Sequence, residues 1–263
     1  MRCIFCKKAS DDSRSVEHII PESLGNTTQV LPRGVVCDKC NNYFARKVEK
    51  PFLDVSGITD LRSYQFIPNK KGVIPPGTGY INSEYPVKVF PHKEGSTKAS
   101  IAVESELFEK VLSENELILV LSTGCLPSQP NLVSRFLAKI AVEAFAQRLL
   151  NTPGGLDYLI DESQFDSIRN HARLGKPQEW AYHTRPLYGA KEKRINSNGE
   201  SYQVVYEYDL FWTPLQELYF VLVLFGLELT INVGGPDVDG YLEWLKEKNG
   251  ISPLYEGKNA NII

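Results

Sequence analysis

The sequence predicts an α+β protein in which a small cysteine-rich module precedes a larger domain of mixed helices and strands. Four of its five cysteines form two Cys-x-x-Cys pairs within the first forty residues. Beyond them, short alternating apolar runs are typical of strands, and one long segment has apolar residues at helical spacing. The hydrophobic content of 42% and the charged content of 23% are ordinary for a globular protein. We therefore expect two domains, residues 1–53 and residues 54–263.

The cysteine pairs are Cys3-x-x-Cys6 and Cys37-x-x-Cys40, with 30 residues between them. Each pair places two thiolates on one side of a tight turn, and two such turns supply the tetrahedral sulfur set of a structural zinc site. Disulfides or redox chemistry are the weaker alternatives. The sequence shows no secretory signal, which predicts a cytoplasmic protein, and neither pair has a thioredoxin-like strand-helix context. Cys125 has no partner pattern, and we predict it to be a buried small residue.

The segment between the two pairs contains an acid-histidine dipeptide, Glu17-His18, flanked by apolar positions. Its apolar residues indicate a strand, and Pro21 with Gly25-Asn26 indicates a break and a turn. After the second pair, residues 42–50 predict a helix that Pro51 discourages from continuing. The predicted order is knuckle, strand, turn, strand, knuckle and helix.

This pattern resembles the HNH endonuclease superfamily, in particular its four-cysteine branch related to the HNH_5 group, over about residues 1–53. The resemblance rests on Cys3-x-x-Cys6, Glu17-His18-Ile19-Ile20-Pro21, Gly25 and Cys37-x-x-Cys40-Asn41-Asn42. It implies a ββα-metal fold that holds one catalytic divalent cation, with the zinc bracing the fold. By position, it makes Glu17 a metal ligand, His18 the general base and Asn41 the second metal ligand.

The chain departs from the family pattern at two places. Glu17 stands where the family usually has Asp, and the segment Val30-Leu31-Pro32 stands where an Asn usually braces the loop that carries the base. Either Asn26 or another group would have to supply that brace. Asn42 also competes with Asn41 for the ligand role.

Hydrolysis of a phosphodiester bond needs an activated water and stabilisation of charge on the phosphate. A neutral imidazole can accept a proton from water at physiological pH. Hard oxygen ligands suit Mg²⁺ or Mn²⁺, whereas thiolates suit zinc. Because adjacent side chains on a strand point to opposite faces, we expect a bend or bulge to bring Glu17 and His18 to one cleft. The alternative is that His18 only makes a hydrogen bond within a small zinc fold while Glu17 is a surface acid.

The formal net charge is -3, but the charge is unevenly distributed. Residues 1–52 contain nine Lys or Arg against six Asp or Glu, and residues 200–263 contain three against ten. Phosphate contacts need local positive charge. We predict that the module contacts nucleic acid, DNA rather than RNA, through Arg33, Arg46 and Lys47, and that the C-terminal end faces away. The alternative for each of these residues is a solvated surface charge.

Residues 54–263 predict an α+β domain that binds substrate, a protein partner or a regulatory signal. Its clearest helix covers residues 131–150, with Arg135, Lys139, Glu143 and Gln147 opposite the apolar face. Strands are expected at residues 85–90, 99–103, 116–122, 202–212 and 218–233, and helices at 104–112 and 239–249. A region with Arg169, His171, Arg173, Lys176, Trp180 and Arg185 suits nucleic-acid contact, or an ordinary helix surface or core.

The leading hypothesis is a metal-dependent endonuclease that hydrolyses DNA, and by analogy with HNH proteins that have extra domains it acts in phage defence or in a mobile element. The alternatives are a non-catalytic zinc-dependent nucleic-acid-binding or adaptor protein, and a nuclease that cuts RNA. The longest apolar run, residues 218–227, is far shorter than a membrane-spanning helix and predicts a buried strand, so no membrane association is expected.

Overall fold

The computed structural model describes residues 1–92, 99–121, 126–190, 192–195, 198–254 and 261–262, so Cys125 lies outside the described residues. The chain forms two compact units. The first contains residues 1–21, 26–51 and 129–263, and the second contains residues 22–25 and 52–128. The cysteine-containing segment thus packs in one unit with residues 129–263. The division into residues 1–53 and 54–263 stays a prediction.

Strands and helices are mixed along the chain, which confirms the predicted α+β class. The strands are β1 (Glu17–His18), β2 (Val30–Leu31), β3 (Gly77–Ile81), β4 (Tyr85–Pro91), β5 (Ala99–Val103), β6 (Leu119–Leu121), β7 (Tyr182–Pro186), β8 (Arg194–Ile195), β9 (Ser201–Tyr202), β10 (Val204–Trp212), β11 (Leu218–Leu224), β12 (Leu227–Asn232) and β13 (Asn261–Ile262). The helices are α1 (Asp38–Phe44), α2 (Lys50–Leu53), α3 (Ser56–Tyr64), α4 (Ser105–Leu112), α5 (Pro130–Leu149), α6 (Gly155–Asp161), α7 (Asp166–Leu174) and α8 (Asp239–Glu247). A π-helical segment, Ala45–Glu49, joins α1 to α2.

The helix after the second cysteine pair differs from its prediction at both ends. It begins at Asp38 rather than at residue 42, because Cys37 is extended and Asp38 places a carboxylate in the first turn, where the helix dipole favours negative charge. It also continues past Pro51 to Leu53. The π-helical segment ends two residues before Pro51 and changes the hydrogen-bond register. Proline has no N–H to donate, and in the changed register the chain does not require the α-helical bond that this N–H would otherwise make.

The first unit is built on an antiparallel sheet with the strand order β13-β10-β11-β12-β7. Every residue of β11 is buried, as its continuous apolar run predicts. Tyr219 and Val221 on this strand pack with Tyr241 and Leu245 of α8. Since neighbouring strand residues point to opposite faces, Phe220 lies on the other side, where it contacts Tyr208 of β10. The Tyr208 hydroxyl donates a hydrogen bond to Gln147 of α5, so α5 lies on this second face. Helices therefore cover both faces of the sheet.

Helix α5 confirms the long predicted helix, but its polar stripe is covered rather than solvated. The side chains of Lys139 and Glu143 are 0% exposed. Arg135 donates a hydrogen bond to the hydroxyl of Tyr43 in α1, at a distance of 2.8 Å. The stripe opposite the apolar face is therefore the side of α5 on which the N-terminal segment packs.

The second unit contains an antiparallel sheet with the strand order β5-β4-β3-β6. Buried residues Ile81, Val87 and Val89 of the sheet pack with Val111 of α4. Asp60 of α3 accepts hydrogen bonds from the N–H and the hydroxyl of Thr78. Strand β6 is shorter than predicted, and position 122 lies outside the described residues.

The region predicted as a nucleic-acid contact, or as an ordinary helix surface or core, contributes three residues to the core, of which Trp180 is 4% exposed. Arg169 is 1% exposed and His171 is 0% exposed. Arg169 donates hydrogen bonds to the main-chain oxygens of Leu159 and Ile160 near the end of α6, where helix carbonyls lack partners within the helix. In the described ranges, no helix combines the length and apolar character that crossing a membrane requires.

Candidate functional site

Four sulfur atoms converge in the N-terminal segment. The Sγ atoms of Cys3, Cys6, Cys37 and Cys40 lie within 4.8 Å of one another. Those of Cys6 and Cys37 are 3.7 Å apart. A tetrahedral zinc ion with Zn–S bonds of about 2.3 Å separates its sulfur ligands by about 3.8 Å. The four side chains therefore fit a zinc ion without rearrangement of the backbone.

The two cysteine pairs are held by different local structures. The first pair lies in a turn closed by a hydrogen bond from the N–H of Lys7 to the carbonyl of Cys3, with Lys7 in the left-handed region at φ 61°. The second pair lies at the start of α1, where Cys37 precedes the first turn and donates its N–H to the sulfur of Cys3 at 3.3 Å. The N-terminus of a helix favours negative charge, so this position favours thiolates.

The sulfur atoms also differ in how readily they ionise. A hydrogen bond with the Cys40 thiol lowers the pKa of Cys3 to about 4, against the effect of burial and with further help from the N–H of Cys37. Burial raises the pKa of Cys37. These hydrogen bonds favour the thiolate of Cys3, the form that binds zinc.

The acid-histidine dipeptide forms the whole of β1. Glu17 pairs with Leu31 and His18 pairs with Val30 in a regular antiparallel ladder. The two side chains consequently leave the strand on opposite faces, and this ladder contains no bulge that would bring them together. Glu17 is 5% exposed. His18 is partly exposed, and its Nδ1 is buried with no hydrogen-bond partner among the described residues.

Glu17 enters a cluster of charged groups around Lys139 of α5. The Nζ atom of Lys139 lies 2.6 Å from Oε1 of Glu17, 2.7 Å from Oε1 of Glu49 and 2.9 Å from Oε2 of Glu143. It also donates a hydrogen bond to the main-chain oxygen of His18 at 3.2 Å. Burial by itself lowers the pKa of Lys139, but the three glutamates together raise it well above its usual value. Burial likewise raises the pKa of Glu143 well above its usual value.

Asn26 supplies a brace for the loop between β1 and β2. Its side chain is fully buried, and its Nδ2 donates hydrogen bonds to the main-chain oxygens of Ile20 at 2.7 Å and Gln29 at 2.9 Å. Its Oδ1 accepts from the N–H groups of Thr28 and Gln29. The two ends of the loop are thus tied through one amide. Of the two alternatives raised by the sequence, the structure favours Asn26 as the brace.

Asn41 lies beside the same strand. Its Nδ2 donates a hydrogen bond to the main-chain oxygen of Val16 at 2.9 Å, so its Oδ1 is the atom that remains to accept a hydrogen bond or bind a cation. Asn41 and Asn42 both line a shallow surface hollow of about 360 Å³. The other residues that line this hollow are Arg14, Ser15, Asp38 and Ala45. Neither Glu17 nor His18 lines it.

The oxygen donors predicted for a catalytic cation are of the right chemical type, but one is already paired. Carboxylate and amide oxygens suit Mg²⁺. A cation that binds Glu17 would have to share this carboxylate with the ammonium of Lys139, which lies 2.6 Å away. The roles of Glu17, His18 and Asn41 stay predictions.

Comparison with known proteins adds one match. Residues 3–55 match a family model described as HNH endonuclease. Residues 3–55 form an HNH module. The matched range contains all four cysteines, β1, β2 and the helix from Asp38 to Leu53. Neither the comparison with curated proteins nor the comparison with solved structures finds a match to this chain.

The positive charge of the HNH module is partly neutralised within the first unit. Arg2 forms ion pairs with Asp157 and Asp161 near α6, and Lys7 forms one with Asp166 at 2.6 Å. The residues predicted to contact nucleic acid, Arg33, Arg46 and Lys47, are exposed. Arg46 and Lys47 lie in the π-helical segment that follows Asn41 and Asn42.

Lys139 is the residue of this site that the sequence analysis missed. It was placed on the polar face of a helix because a charged residue is usually solvated. A signal was present in the sequence, since Lys139 and Glu143 are four residues apart in a run that is otherwise rich in Ala, Ile and Val. That signal identifies a pair on one helix but not the partners from a distant part of the chain.

Proposed function

We propose that this protein is a metal-dependent HNH endonuclease that hydrolyses phosphodiester bonds, with DNA as the preferred substrate. The observation that carries the proposal is His18, which stands in the matched HNH module on a braced hairpin and has an unpartnered ring nitrogen among the described residues. The exposed Arg33, Arg46 and Lys47 support nucleic-acid binding by the same module.

His18 is the proposed general base. Its ring accepts a proton from the attacking water, a contribution that is worth on the order of 10² to 10⁴ in rate. Asn26 supports this role because it holds the loop that follows the histidine. Arg46 and Lys47 hold the phosphate backbone by charge. Glu17 and Asn41 would hold Mg²⁺ or Mn²⁺, which would supply stabilisation of charge on the phosphate and the leaving oxygen.

Asn41 is the preferred amide ligand over Asn42. Its hydrogen bond to the carbonyl of Val16 can only come from the NH₂ group, which fixes the orientation of the amide and presents Oδ1. Asn42 is exposed and has no such bond among the described residues. A pre-oriented oxygen binds a cation at a lower entropic cost.

Nicking of supercoiled plasmid with Mg²⁺ or Mn²⁺ tests the proposal. We expect the wild-type protein to nick DNA and His18→Ala to lose roughly 10² to 10⁴ in rate. His92→Ala is the matched control, because His92 is an exposed histidine of the second unit. Equal nicking by His18→Ala and the wild type would exclude His18 as the base.

Matched DNA and RNA duplexes in the same assay separate the remaining alternatives. Faster cleavage of RNA would replace DNA as the proposed substrate. Salt-sensitive binding without cleavage under any metal would instead favour a non-catalytic nucleic-acid-binding or adaptor protein. The ion pair between Glu17 and Lys139 supports this second candidate, because a catalytic cation would have to share the Glu17 carboxylate with the ammonium.

A role for this enzyme in phage defence or in a mobile element follows from analogy with multidomain HNH proteins alone. Plaque counts on cells with and without the protein test the defence role. Equal counts for the wild type and His18→Ala would argue against it.

A further inference from the structure

The charged cluster around Lys139 places three carboxyl groups around one ammonium in a largely buried position. Lys139 and Glu143 are 0% exposed, Glu17 is 5% exposed and Glu49 is 14% exposed. A buried charge is costly unless it is paired and hydrogen-bonded. A single ammonium here faces three carboxyl groups and one main-chain oxygen.

Two of the groups that Lys139 contacts belong to residues of the proposed active site. Glu17 and the main-chain oxygen of His18 belong to β1, and Glu49 belongs to the π-helical segment that follows Asn41. Lys139 itself belongs to α5, outside residues 3–55. One side chain from the rest of the first unit thus contacts both the strand and the helix of the HNH module.

The geometry restricts the strand more than an ordinary ion pair would. An ammonium has three N–H donors in a tetrahedral arrangement, and here it faces four oxygen atoms at 2.6 to 3.2 Å. Because the two contacts on β1 come from adjacent residues, one on a side chain and one on the backbone, they fix the position of the strand and the direction of the Glu17 carboxylate.

We propose that Lys139 is a positioning residue of the HNH site, which holds Glu17 and the backbone of His18 in place from helix α5. This inference rests on the proposed nuclease function for its catalytic consequence. Lys139 is buried and has no route to the substrate, so it acts only through the residues that it orders.

The test compares Lys139→Met with Glu143→Gln. Lys139→Met removes the ammonium but keeps the apolar stem. Glu143→Gln is the matched control from the same helix and the same cluster, and it preserves the contacts of Lys139 with Glu17 and His18.

Hydrogen exchange of residues 16–20 reports positioning without any need for activity. We expect Lys139→Met to raise exchange in this segment about tenfold or more, with zinc content unchanged, while Glu143→Gln exchanges as the wild type does. In the nicking assay we expect kcat to fall roughly 10²-fold in Lys139→Met with little change in KM for DNA, since small displacements of catalytic groups cost rate.

If Lys139→Met fails to fold, as judged by lost zinc, the double variant Lys139→Met/Glu49→Gln is used in both assays in its place. The second substitution removes one of the carboxylates that would otherwise lose the ammonium of Lys139. Exchange and kcat at wild-type levels in a zinc-loaded variant would overturn the proposal, and so would faster exchange with unchanged kcat. A wild-type protein that cuts nothing would refute the nuclease function, while hydrogen exchange would still decide whether Lys139 positions β1.

Discussion

The Nζ atom of Lys139 lies 2.6 Å from Oε1 of Glu17, so helix α5 provides the counter-ion for the acidic residue of the HNH dipeptide. The HNH module therefore receives the positive charge that neutralises Glu17 from outside residues 3–55. Glu49 of the same module uses the same ammonium at 2.7 Å. Substitutions in residues 129–263 can therefore affect the proposed active site through the side chain of Lys139.

The four-sulfur cluster predicts about one zinc ion per chain in the purified protein. Cys40→Ser should lose the metal and destabilise the module, because structural zinc contributes roughly 10 to 16 kcal/mol of binding energy in small zinc folds. Elemental analysis and a thermal melt measure these effects. Cys125→Ser, outside the Cys-x-x-Cys pairs, should keep its zinc. A folded wild-type protein without zinc would contradict the assignment.

Replacement of Asn26 should destabilise the first unit. Asn26→Ala removes two donated and two accepted hydrogen bonds at a fully buried position. With a net contribution of about 0.5 to 1.5 kcal/mol for each bond, we expect a loss of about 2 to 6 kcal/mol in the free energy of unfolding. Denaturant titration measures it. The adjacent Thr27 is exposed, so Thr27→Ala should stay near the wild type. Similar values for both variants would exclude the bracing role.

Arg46 and Lys47 should contribute sequence-independent affinity for DNA. In a His18→Ala background, which prevents cleavage, Arg46→Ala/Lys47→Ala should weaken binding. It should also reduce the slope of log K against log salt concentration by about 2. Fluorescence anisotropy at several salt concentrations gives this slope. Lys246→Ala/Lys248→Ala removes two exposed cations from the acidic C-terminal region and serves as the control. An equal loss in both pairs would argue against a specific surface on the HNH module.

His171 should make stability depend on pH. Its Nε2 lies 2.9 Å from the Ser134 hydroxyl oxygen, and its Nδ1 donates a hydrogen bond to the main-chain oxygen of Pro177. Burial lowers its pKa below the usual 6.5, with a further lowering from Arg135. As the pH falls, His171 is therefore protonated at a higher pH in the unfolded chain than in the folded protein. Its contribution to stability is complete above about pH 6.5 and is lost as the pH falls towards its folded pKa, at up to about 1.4 kcal/mol per pH unit.

Unfolding free energies between pH 5 and pH 8 test this dependence. His171→Gln should have a shallower pH slope than the wild type, whereas His92→Ala, at an exposed position, should keep the wild-type slope. Burial also lowers the pKa of His183, so some slope should persist in His171→Gln. An unchanged slope in His171→Gln would contradict the prediction.

Local patterns predicted much of the fold and of the zinc site. The first Cys-x-x-Cys pair specified its own turn, and the apolar spacing of α5 and the continuous apolar run of β11 specified their elements, because each signal lies within one short segment. The end of the helix beyond Pro51 could not be predicted in this way, because it depends on a change in hydrogen-bond register.

The environment of Glu17 was beyond local patterns for a different reason. The sequence identified it as an acid beside a histidine, but its partner belongs to a helix that hydrophobic periodicity alone describes as polar on that side. Only the packing of residues 129–263 with the HNH module turns Lys139 inward. The sequence identified Asn26 as a candidate brace. Its four hydrogen bonds depend on the folded loop, so they could not be predicted from the sequence.

The discontinuous first unit also sets an order of events during synthesis. Cys3, Cys6, Cys37 and Cys40 all leave the ribosome before residues 52–128 of the second unit, so the module can take up zinc early. Lys139 emerges only after residues 52–128. Until then, Glu17 and Glu49 lack this counter-ion, and β1 lacks its anchor on α5. A nascent chain would thus carry a cysteine module that is not yet anchored, and the proposed nuclease site would be complete only once α5 has been made.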